Sequence, residues 1–175
     1  EALNNLGSTL KDLKKYKESI SYFEKSIQLK ENYAEAFNGL ASVYEEVRDN
    51  EKAIENYKIA LKINPNFSEA YNNLANVQKK IGEFDNALLN YKNAIKNKND
   101  NLEAYYNLAN LLKSLKHYEE ANKNYKKVIK LNPNFSVAYN NIGTIYSILG
   151  KFDEAKKFFI KSIEIDKFFA EPYKN

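Results

Sequence analysis

Apolar residues recur along this chain at a fixed step of 34 residues, with no insertion or deletion in the count. Large aromatic residues, small residues and leucines each keep their own place in the step. The first half of the step carries the registers Phe37, Tyr71, Tyr105, Tyr139, Tyr173; Leu6, Leu40, Leu74, Leu108, Ile142; and Gly7, Ala41, Ala75, Ala109, Gly143. The second half carries Ser19, Ala53, Ala87, Ala121, Ala155 and Phe23, Tyr57, Tyr91, Tyr125, Phe159.

Within one step the spacing of apolar residues is helical. Phe37, Leu40 and Tyr44 follow one another at intervals of three and four, which places them on one stripe of a first helix. Ala53 and Tyr57 begin a similar stripe in a second helix. The pattern therefore predicts two amphipathic helices in each step.

Glycine and proline mark the breaks between the helices. Gly82-Glu83 and Gly150-Lys151 separate the first helix from the second, and glycine readily takes the left-handed conformation that ends a helix. Asn64-Pro65-Asn66 and Asn132-Pro133-Asn134 end the second helix, because proline disfavours helical geometry in the residue before it. Each step is predicted to be a helical hairpin.

These registers resemble the tetratricopeptide repeat family, whose unit has the same length and the same order of large, small and aromatic positions. One stretch fills every slot: Phe37, Leu40, Ala41, Tyr44, Ala53, Tyr57, Ala60 and Pro65. The resemblance covers the whole chain as a single array of repeats 1-33, 34-67, 68-101, 102-135 and 136-169, with a partial repeat at 170-175. The departures are Leu3 and Gln78 at aromatic positions, and Glu31, Asn99 and Lys167 at the closing proline.

The resemblance implies an all-α, right-handed solenoid, a superhelix of stacked antiparallel hairpins whose concave wall is lined by the first helices. It also implies a scaffold for protein interactions. The pentatricopeptide family, which reads RNA, is the alternative helical repeat. An unbroken step of 34 residues argues against it, since that family usually steps by one residue more.

Two registers on the first helices are not among the positions that we assign to packing between helices, and they form the candidate binding site. They are Asn5, Gly39, Asn73, Asn107, Asn141 and, three residues later, Ser8, Ser42, Asn76, Asn110, Thr144. A carboxamide offers both donors and an acceptor on a short stem, which suits the main chain of a bound peptide. The predicted groove comprises Asn5, Asn38, Asn72, Asn73, Asn76, Lys79, Asn107, Asn110, Lys113, Asn140 and Asn141.

A similar asparagine ladder lines the repeat superhelix of the O-linked N-acetylglucosamine transferases, and Asn72-Asn73-Leu74-Ala75-Asn76 resembles it. The resemblance leaves three hypotheses open. The chain binds an extended peptide in its own right, it is the substrate-selecting arm of a glycosyltransferase whose catalytic domain lies elsewhere, or it is a structural adaptor in a multiprotein complex. The carboxylate clamp of chaperone-binding repeats is absent, because the register before the ladder reads Asn4, Asn38, Asn72, Tyr106 and Asn140.

The amino-acid composition argues against several other functions. The chain has no cysteine and one histidine, His117, so it offers no thiolate or His-based metal site and no catalytic triad, and we expect no cofactor. Its net charge is +4, and almost all of its positive charge is lysine. We interpret the lysines on the second helices as a solvated face and not as a nucleic-acid or membrane surface. No apolar run reaches the roughly 20 residues that span a bilayer. A cytoplasmic or nuclear protein is expected.

Both ends of the sequence carry apolar residues at repeat positions. It begins with Leu3, Leu6 and Leu10 and ends with Phe168-Phe169 and Tyr173. Terminal repeats of an intact array are usually polar. We therefore expect a segment of a longer array, and end-to-end self-association of the segment is a further expectation.

Overall fold

The computed structural model describes residues 1–166, and all of the regular structure in that range is helical. The ten helices are α1 (Ala2–Asp12), α2 (Tyr16–Leu29), α3 (Ala34–Glu46), α4 (Asn50–Ile63), α5 (Ser68–Lys80), α6 (Phe84–Asn97), α7 (Leu102–Ser114), α8 (Tyr118–Leu131), α9 (Ser136–Ile148) and α10 (Phe152–Ile165). The predicted all-α class is confirmed. The partial repeat at 170-175, with Tyr173, lies outside the described residues.

Consecutive helices pair into five hairpins over residues 1–166, one for each predicted repeat. The chain divides into two compact units, and the second begins at Asp100. The first unit, Glu1–Asn99, contains hairpins one to three (α1–α6), and the second contains hairpins four and five (α7–α10).

Within the first unit, α2 is covered by α3 and α4 is covered by α5, so a second helix packs against the first helix of the next hairpin. Phe23 of α2 is buried with Leu40 and Val43 of α3, and Tyr57 of α4 is buried with Leu74 and Val77 of α5. Burial of these rings and aliphatic chains supplies most of the stabilisation, at about 25 cal/mol for each Å² of apolar surface removed from water. A hairpin therefore completes its core only against its neighbour.

Gly39 interrupts the asparagine register for a packing reason. A Cβ at this position would lie 2.3 Å from the ring of Phe23, which is 1% exposed and cannot move aside. Gly7 approaches the same ring from α1, where a Cβ would lie 3.1 Å away. The ring of Phe23 is thus held between two helices that come close enough only because both carry glycine.

The first helices of the first unit also contact one another, α1 with α3 and α3 with α5. Within Glu1–Asn99, the second helices α2, α4 and α6 make no comparable contacts among themselves. Helices that are close on one side of a stack and splayed on the other produce curvature. The first unit therefore curves toward its first helices, as the predicted concave wall requires.

In the second unit, α7 packs on α8, α8 on α9, and α9 on α10. Tyr125 of α8 is fully buried, and Ile142 and Ile145 of α9 are buried as well. Tyr106 stands edge-on to Phe135, with ring centroids 5.1 Å apart. The same hairpin-on-hairpin packing thus organises both units.

Every hairpin turn uses the same C-terminal cap on its first helix. In the fourth hairpin, the N–H of His117 donates to the carbonyl of Leu112 and the N–H of Lys116 donates to the carbonyl of Lys113. This pair of bonds is a Schellman motif. The left-handed residue of the motif recurs at the repeat step, as Lys14, Arg48, Gly82, Lys116 and Gly150.

Two of the second helices, α4 and α8, end at the predicted Asn-Pro-Asn stretches. α4 ends at Ile63 and α8 ends at Leu131, one residue before each Asn-Pro pair. The side-chain oxygen of Asn64 then accepts a hydrogen bond from the N–H of Asn66 at 3.1 Å, which closes a tight turn. Proline and the asparagine before it act together to stop the helix.

Three of the five left-handed turn residues carry a side chain, and this is a source of strain. The φ angles of Lys14, Arg48 and Lys116 are 59°, 63° and 64°. We expect Arg48→Gly and Lys116→Gly each to raise the free energy of unfolding by up to about 1 kcal/mol, because glycine takes this conformation without a steric penalty. Urea denaturation followed by circular dichroism measures the change.

Gly82→Ala is the matched control for those substitutions. Gly82 has a φ of +87°, and a Cβ there would meet no atom within 4 Å, so the substitution tests backbone strain alone. Its effect should have the opposite sign and a similar size, about 1 kcal/mol. Equal stability of all three variants and the parent chain would contradict the strain argument.

Candidate functional site

All of the predicted groove residues lie on first helices, but they differ in how far they reach solvent. Asn5 and Asn140 are exposed, whereas Asn38, Asn72 and Asn141 are buried. The half-buried members are Asn73, Asn76, Lys79, Asn107, Asn110 and Lys113. The structure thus places the predicted residues in three different environments.

Asn38 connects two first helices of the first unit. Its amide nitrogen donates to the carboxylate of Glu69 at 3.1 Å, and its oxygen accepts a longer 3.5 Å contact from the amide of Asn73. Glu69 and Asn73 both lie on α5, and Asn38 lies on α3. The buried amide of Asn38 therefore serves the contact between hairpins two and three, while Glu69 is exposed and Asn73 is half-buried.

Asn76 and Asn110 are each bound by a tyrosine hydroxyl of their own hairpin. The hydroxyl of Tyr91 donates to the side-chain oxygen of Asn76 at 2.6 Å, and Tyr125 donates to Asn110 at the same distance. Burial raises the pKa of Tyr125 above its ordinary value, so its hydroxyl remains a donor at neutral pH. Both amides are held in one orientation.

The other hairpins follow the same chemical rule. The second hairpin carries Ser42 at the asparagine position, and the hydroxyl of its tyrosine, Tyr57, donates to the carboxylate of Glu45 at 3.5 Å instead. Phenylalanine needs no acceptor, and Phe23 and Phe159 occur in the repeats that carry a hydroxyl residue in place of asparagine. Each tyrosine hydroxyl thus has an acceptor on the first helix of its hairpin, which is an asparagine amide in hairpins three and four and the carboxylate of Glu45 in hairpin two.

Glu45 is a residue of this face that the sequence analysis did not include. Burial raises the pKa of its carboxyl group above the ordinary value, and the charges of Lys80 and Lys11 oppose that effect. The signal in the sequence was Tyr57, a tyrosine in a repeat without the asparagine that the neighbouring repeats place opposite it. The acceptor had to come from elsewhere.

Lysines also tie adjacent first helices together. In the second unit the ammonium group of Lys113 on α7 donates to the side-chain oxygen of Asn141 on α9 at 2.6 Å, and burial lowers the pKa of Lys113. In the first unit Lys11 on α1 contacts the hydroxyl of Ser42 on α3 at 3.4 Å. Lys113 and Asn141 are therefore brought together, as neighbours on one face.

Neither metal chemistry nor membrane insertion is indicated by residues 1–166. In that range no three histidine or acidic side chains are grouped closely enough to hold a metal ion. None of the described helices is both long and apolar enough to cross a bilayer. His117 is exposed at the start of α8.

Comparison with protein families decides the identity of the repeats. Models described as tetratricopeptide repeat match residues 1–33, 68–101, 102–135 and 124–157, and a model described as TPR repeat matches residues 49–82. The chain belongs to the tetratricopeptide repeat family. Its fold is accordingly an all-α solenoid of tetratricopeptide units, and this family builds scaffolds for protein interactions. The handedness of the superhelix stays a prediction.

Solved tetratricopeptide proteins have the same fold over most of their length. A crystal structure of MamA is 27% identical, with a TM-score of 0.85, and the match covers 94% of this chain and 96% of that one. A second MamA structure is 26% identical, with a TM-score of 0.83 and coverage of 99% and 94%. YrrB, described as a TPR protein with an unusual peptide-binding site, is 20% identical, with a TM-score of 0.77 and coverage of 94% and 85%. No curated protein sequence matches significantly.

The raised pKa of Glu45 predicts a pH-dependent cost to stability. A carboxyl group whose pKa is higher in the folded state binds a proton more readily when the protein is folded. Its charge therefore lowers the free energy of unfolding at neutral pH, and this cost disappears as the pH falls and the group is protonated. We expect Glu45→Gln to stabilise the protein at pH 7, because glutamine removes the buried charge and still offers an oxygen to Tyr57. The gain should shrink on acidification and vanish below about pH 4.

Thermal unfolding at a series of pH values measures this difference. Glu55→Gln is the matched control, since Glu55 is exposed on α4 of the same hairpin and is not among the charges that act on Glu45. A gain from Glu45→Gln that did not change between pH 7 and pH 4 would contradict the assignment of the cost to a buried charge.

Proposed function

We propose that the chain binds an extended polypeptide segment along its first helices and grips the main chain of that segment with asparagine side chains. The surface involved, which we call the first-helix face, consists of the solvent-facing sides of α1, α3 and α5 in the first unit and of α7 and α9 in the second. Each unit offers its own stretch of this face.

The curvature of the first unit is the observation that carries the proposal. Its first helices contact one another while its second helices do not, so the first-helix face is the inner side of the curve. An inner side surrounds an extended ligand and removes more of its surface from water than a flat or outer side does. A linear peptide is the shape of ligand that such a surface fits.

The side chains on this face supply the polar contacts that an extended chain needs. Asn5 is exposed, and Asn73, Asn76, Asn107 and Asn110 are half-buried, so each of these residues is at least partly accessible to a ligand. A peptide main chain in extended form carries unpaired N–H and C=O groups at every residue, and a free carboxamide can pair with either. The oxygens of Asn76 and Asn110 already accept tyrosine hydroxyls, so these two residues offer their N–H groups to the C=O groups of the ligand. Recognition of this kind depends little on the side chains of the ligand.

The family supports a polypeptide ligand. YrrB is described as having a peptide-binding site, and this chain shares its fold over 94% of its length. At 20% identity the likeness does not extend to the residues of that site. The role of individual asparagines in this chain is therefore proposed on their position and exposure alone.

The direct test is selection of peptides from a random linear library, followed by measurement of affinity for Asn73→Ala combined with Asn107→Ala. We expect the double substitution to weaken binding about tenfold, since each lost hydrogen bond contributes about 1 kcal/mol and a second loss adds to the first only in part. Isothermal titration calorimetry with a selected peptide measures the change.

Asn56→Ala combined with Asn124→Ala is the matched control. These two amides lie on second helices, one in each unit, and each donates to a carbonyl of its own helix at 2.8 Å. Their removal should leave the affinity unchanged. Binding that survives the first-helix substitutions and fails with the second-helix pair would favour the adaptor hypothesis, in which the outer helices bind the partner. The glycosyltransferase-arm hypothesis stays a prediction that rests on resemblance alone.

Self-association of this segment is proposed as well, on the strength of exposed apolar residues on α10. Tyr16 and Ile27 of α2 pack beside α3 in the first unit. The residues in the same repeat positions on α10 are Phe152, which is 69% exposed, and Ile163, which is 46% exposed. The α1 helix of a second copy, which exposes Leu6, presents the first-helix pattern that this surface packs against elsewhere in the chain.

Sedimentation velocity over a range of concentrations tests that proposal. We expect the mean sedimentation coefficient to rise with concentration for the parent chain and to stay at the monomer value for Ile163→Glu, because a buried unpaired carboxylate opposes association. Leu89→Glu is the control, as Leu89 is an exposed leucine on α6. A parent chain that remains monomeric at millimolar concentration would rule the association out.

A further inference from the structure

The hydrogen bonds of Asn76 and Asn110 determine which part of each amide is presented to a ligand. In both residues the side-chain oxygen is occupied by a buried tyrosine hydroxyl at 2.6 Å. Neither amide nitrogen has a hydrogen-bond partner among residues 1–166, and neither is among the buried polar atoms that lack one. Both N–H groups therefore reach solvent, and each amide faces outward as a donor only.

A lysine extends each donor along the same helix face. Lys79 follows Asn76 by three residues on α5, and Lys113 follows Asn110 by three residues on α7, a spacing that places the side chains side by side. The ammonium group of Lys113 uses one of its N–H bonds on Asn141 and retains two. Hairpins three and four thus each present an amide donor next to a cation.

We propose that these two pairs, Asn76 with Lys79 and Asn110 with Lys113, are binding sites for acidic side chains of the bound polypeptide, and that Tyr91 and Tyr125 are positioning residues that keep the amide donors turned outward. This inference rests on the proposed function, and it names the chemistry that the first-helix face selects. A carboxylate accepts hydrogen bonds only and carries the charge that complements lysine, so it matches both members of each pair.

The tyrosine hydroxyl makes the selectivity possible. An amide whose two ends were equally free could rotate and present its oxygen, which repels a carboxylate. The hydroxyl of Tyr91 is a donor held inside the hairpin, so rotation of the Asn76 amide would place N–H groups against it and lose that hydrogen bond. The outward donor is fixed before any ligand binds, and no ordering cost is added on binding.

The second hairpin shows the contrasting arrangement. Its tyrosine, Tyr57, donates to the carboxylate of Glu45, and the adjacent Ser42 donates to the carbonyl of Gly39 at 2.7 Å. The second hairpin therefore has no amide donor at the position of Asn76 and Asn110, and the group that accepts from its tyrosine is a carboxylate. Because the same hydroxyl serves a different partner here, Tyr57 provides an internal control for the role of the other two tyrosines.

Two synthetic peptides serve as probes for this inference: the acetylated and amidated peptide with four Gly-Glu-Ala repeats, and its counterpart with Gln in place of Glu. In an extended chain, every third residue recurs at about 10 Å, so some register brings a carboxylate to each pair. NMR titration of the ¹⁵N-labelled chain follows the side-chain NH₂ signals of Asn76 and Asn110, which are assigned by their loss in Asn76→Ala and Asn110→Ala.

We expect the Glu peptide to shift both NH₂ signals and to bind more tightly than the Gln peptide. Combining Tyr91→Phe with Tyr125→Phe should weaken binding of the Glu peptide about fivefold and leave the Gln peptide nearly unaffected, because the freed amides then turn their oxygens outward. Tyr57→Phe, the same chemical change one repeat earlier, should alter neither affinity. Circular dichroism confirms that each variant is folded.

Equal binding of the Glu and Gln peptides by the parent chain would overturn the inference, and so would equal losses for both peptides in the double tyrosine variant. The proposed function fails separately, if library-selected peptides bind the Asn73→Ala, Asn107→Ala chain as well as the parent. A chain that binds selected peptides through those asparagines, yet shows no preference for glutamate, retains the proposed function and loses only the acidic specificity.

Discussion

The packing of one hairpin against the next is the interaction on which the rest of this protein depends. A two-helix unit of about thirty residues leaves the aromatic ring of its second helix uncovered, and the following first helix provides the cover, as α3 does for Phe23 and α5 does for Tyr57. Close approach demands small residues at the crossing, and where the ring is most tightly enclosed the chain uses Gly7 and Gly39. The first-helix face exists because this contact repeats at a constant step.

The same contact explains why one residue type serves two purposes. The tyrosines of the second helices, Tyr57, Tyr91 and Tyr125, are too deeply buried to contact a ligand, but their hydroxyl groups need acceptors inside the hairpin. Asn76 and Asn110 provide them with an oxygen and keep their N–H groups at the surface. Asn38 of α3 is buried, and its amide donates to Glu69 of α5, so this asparagine serves the contact between hairpins. An asparagine ladder is thus partly a packing device, and its outward chemistry follows from its inward hydrogen bonds.

Electrostatics on the first-helix face is also set by neighbouring helices. Glu45 is partly buried by its own hairpin, and Lys11 and Lys80, which approach it from other first helices, moderate the cost of its charge. Lys113 exchanges some of its hydration for a bond to Asn141 on the next first helix. Charges on this face are shared across hairpins, so a substitution in one repeat changes the environment of the next.

The sequence by itself determined the repeat length, the hairpins and the helix ends, because the spacing of apolar residues and the positions of Gly82, Gly150, Pro65 and Pro133 are local signals. The left-handed turns at Lys14, Arg48 and Lys116 were not predicted, because lysine and arginine do not favour that conformation, although these residues occupy the repeat position of Gly82 and Gly150.

Only the tertiary structure decided which asparagines face the solvent. Asn72 and Asn73 are adjacent and chemically identical, yet Asn72 is 1% exposed and Asn73 is half-buried. Consecutive residues of a helix point in directions about 100° apart, and the packing of the surrounding helices decides which of the two directions is covered. The partner of Tyr57 was decided in the same way, because the reach of Glu45 across the hairpin depends on the packing of two helices and not on the spacing of residues along either one.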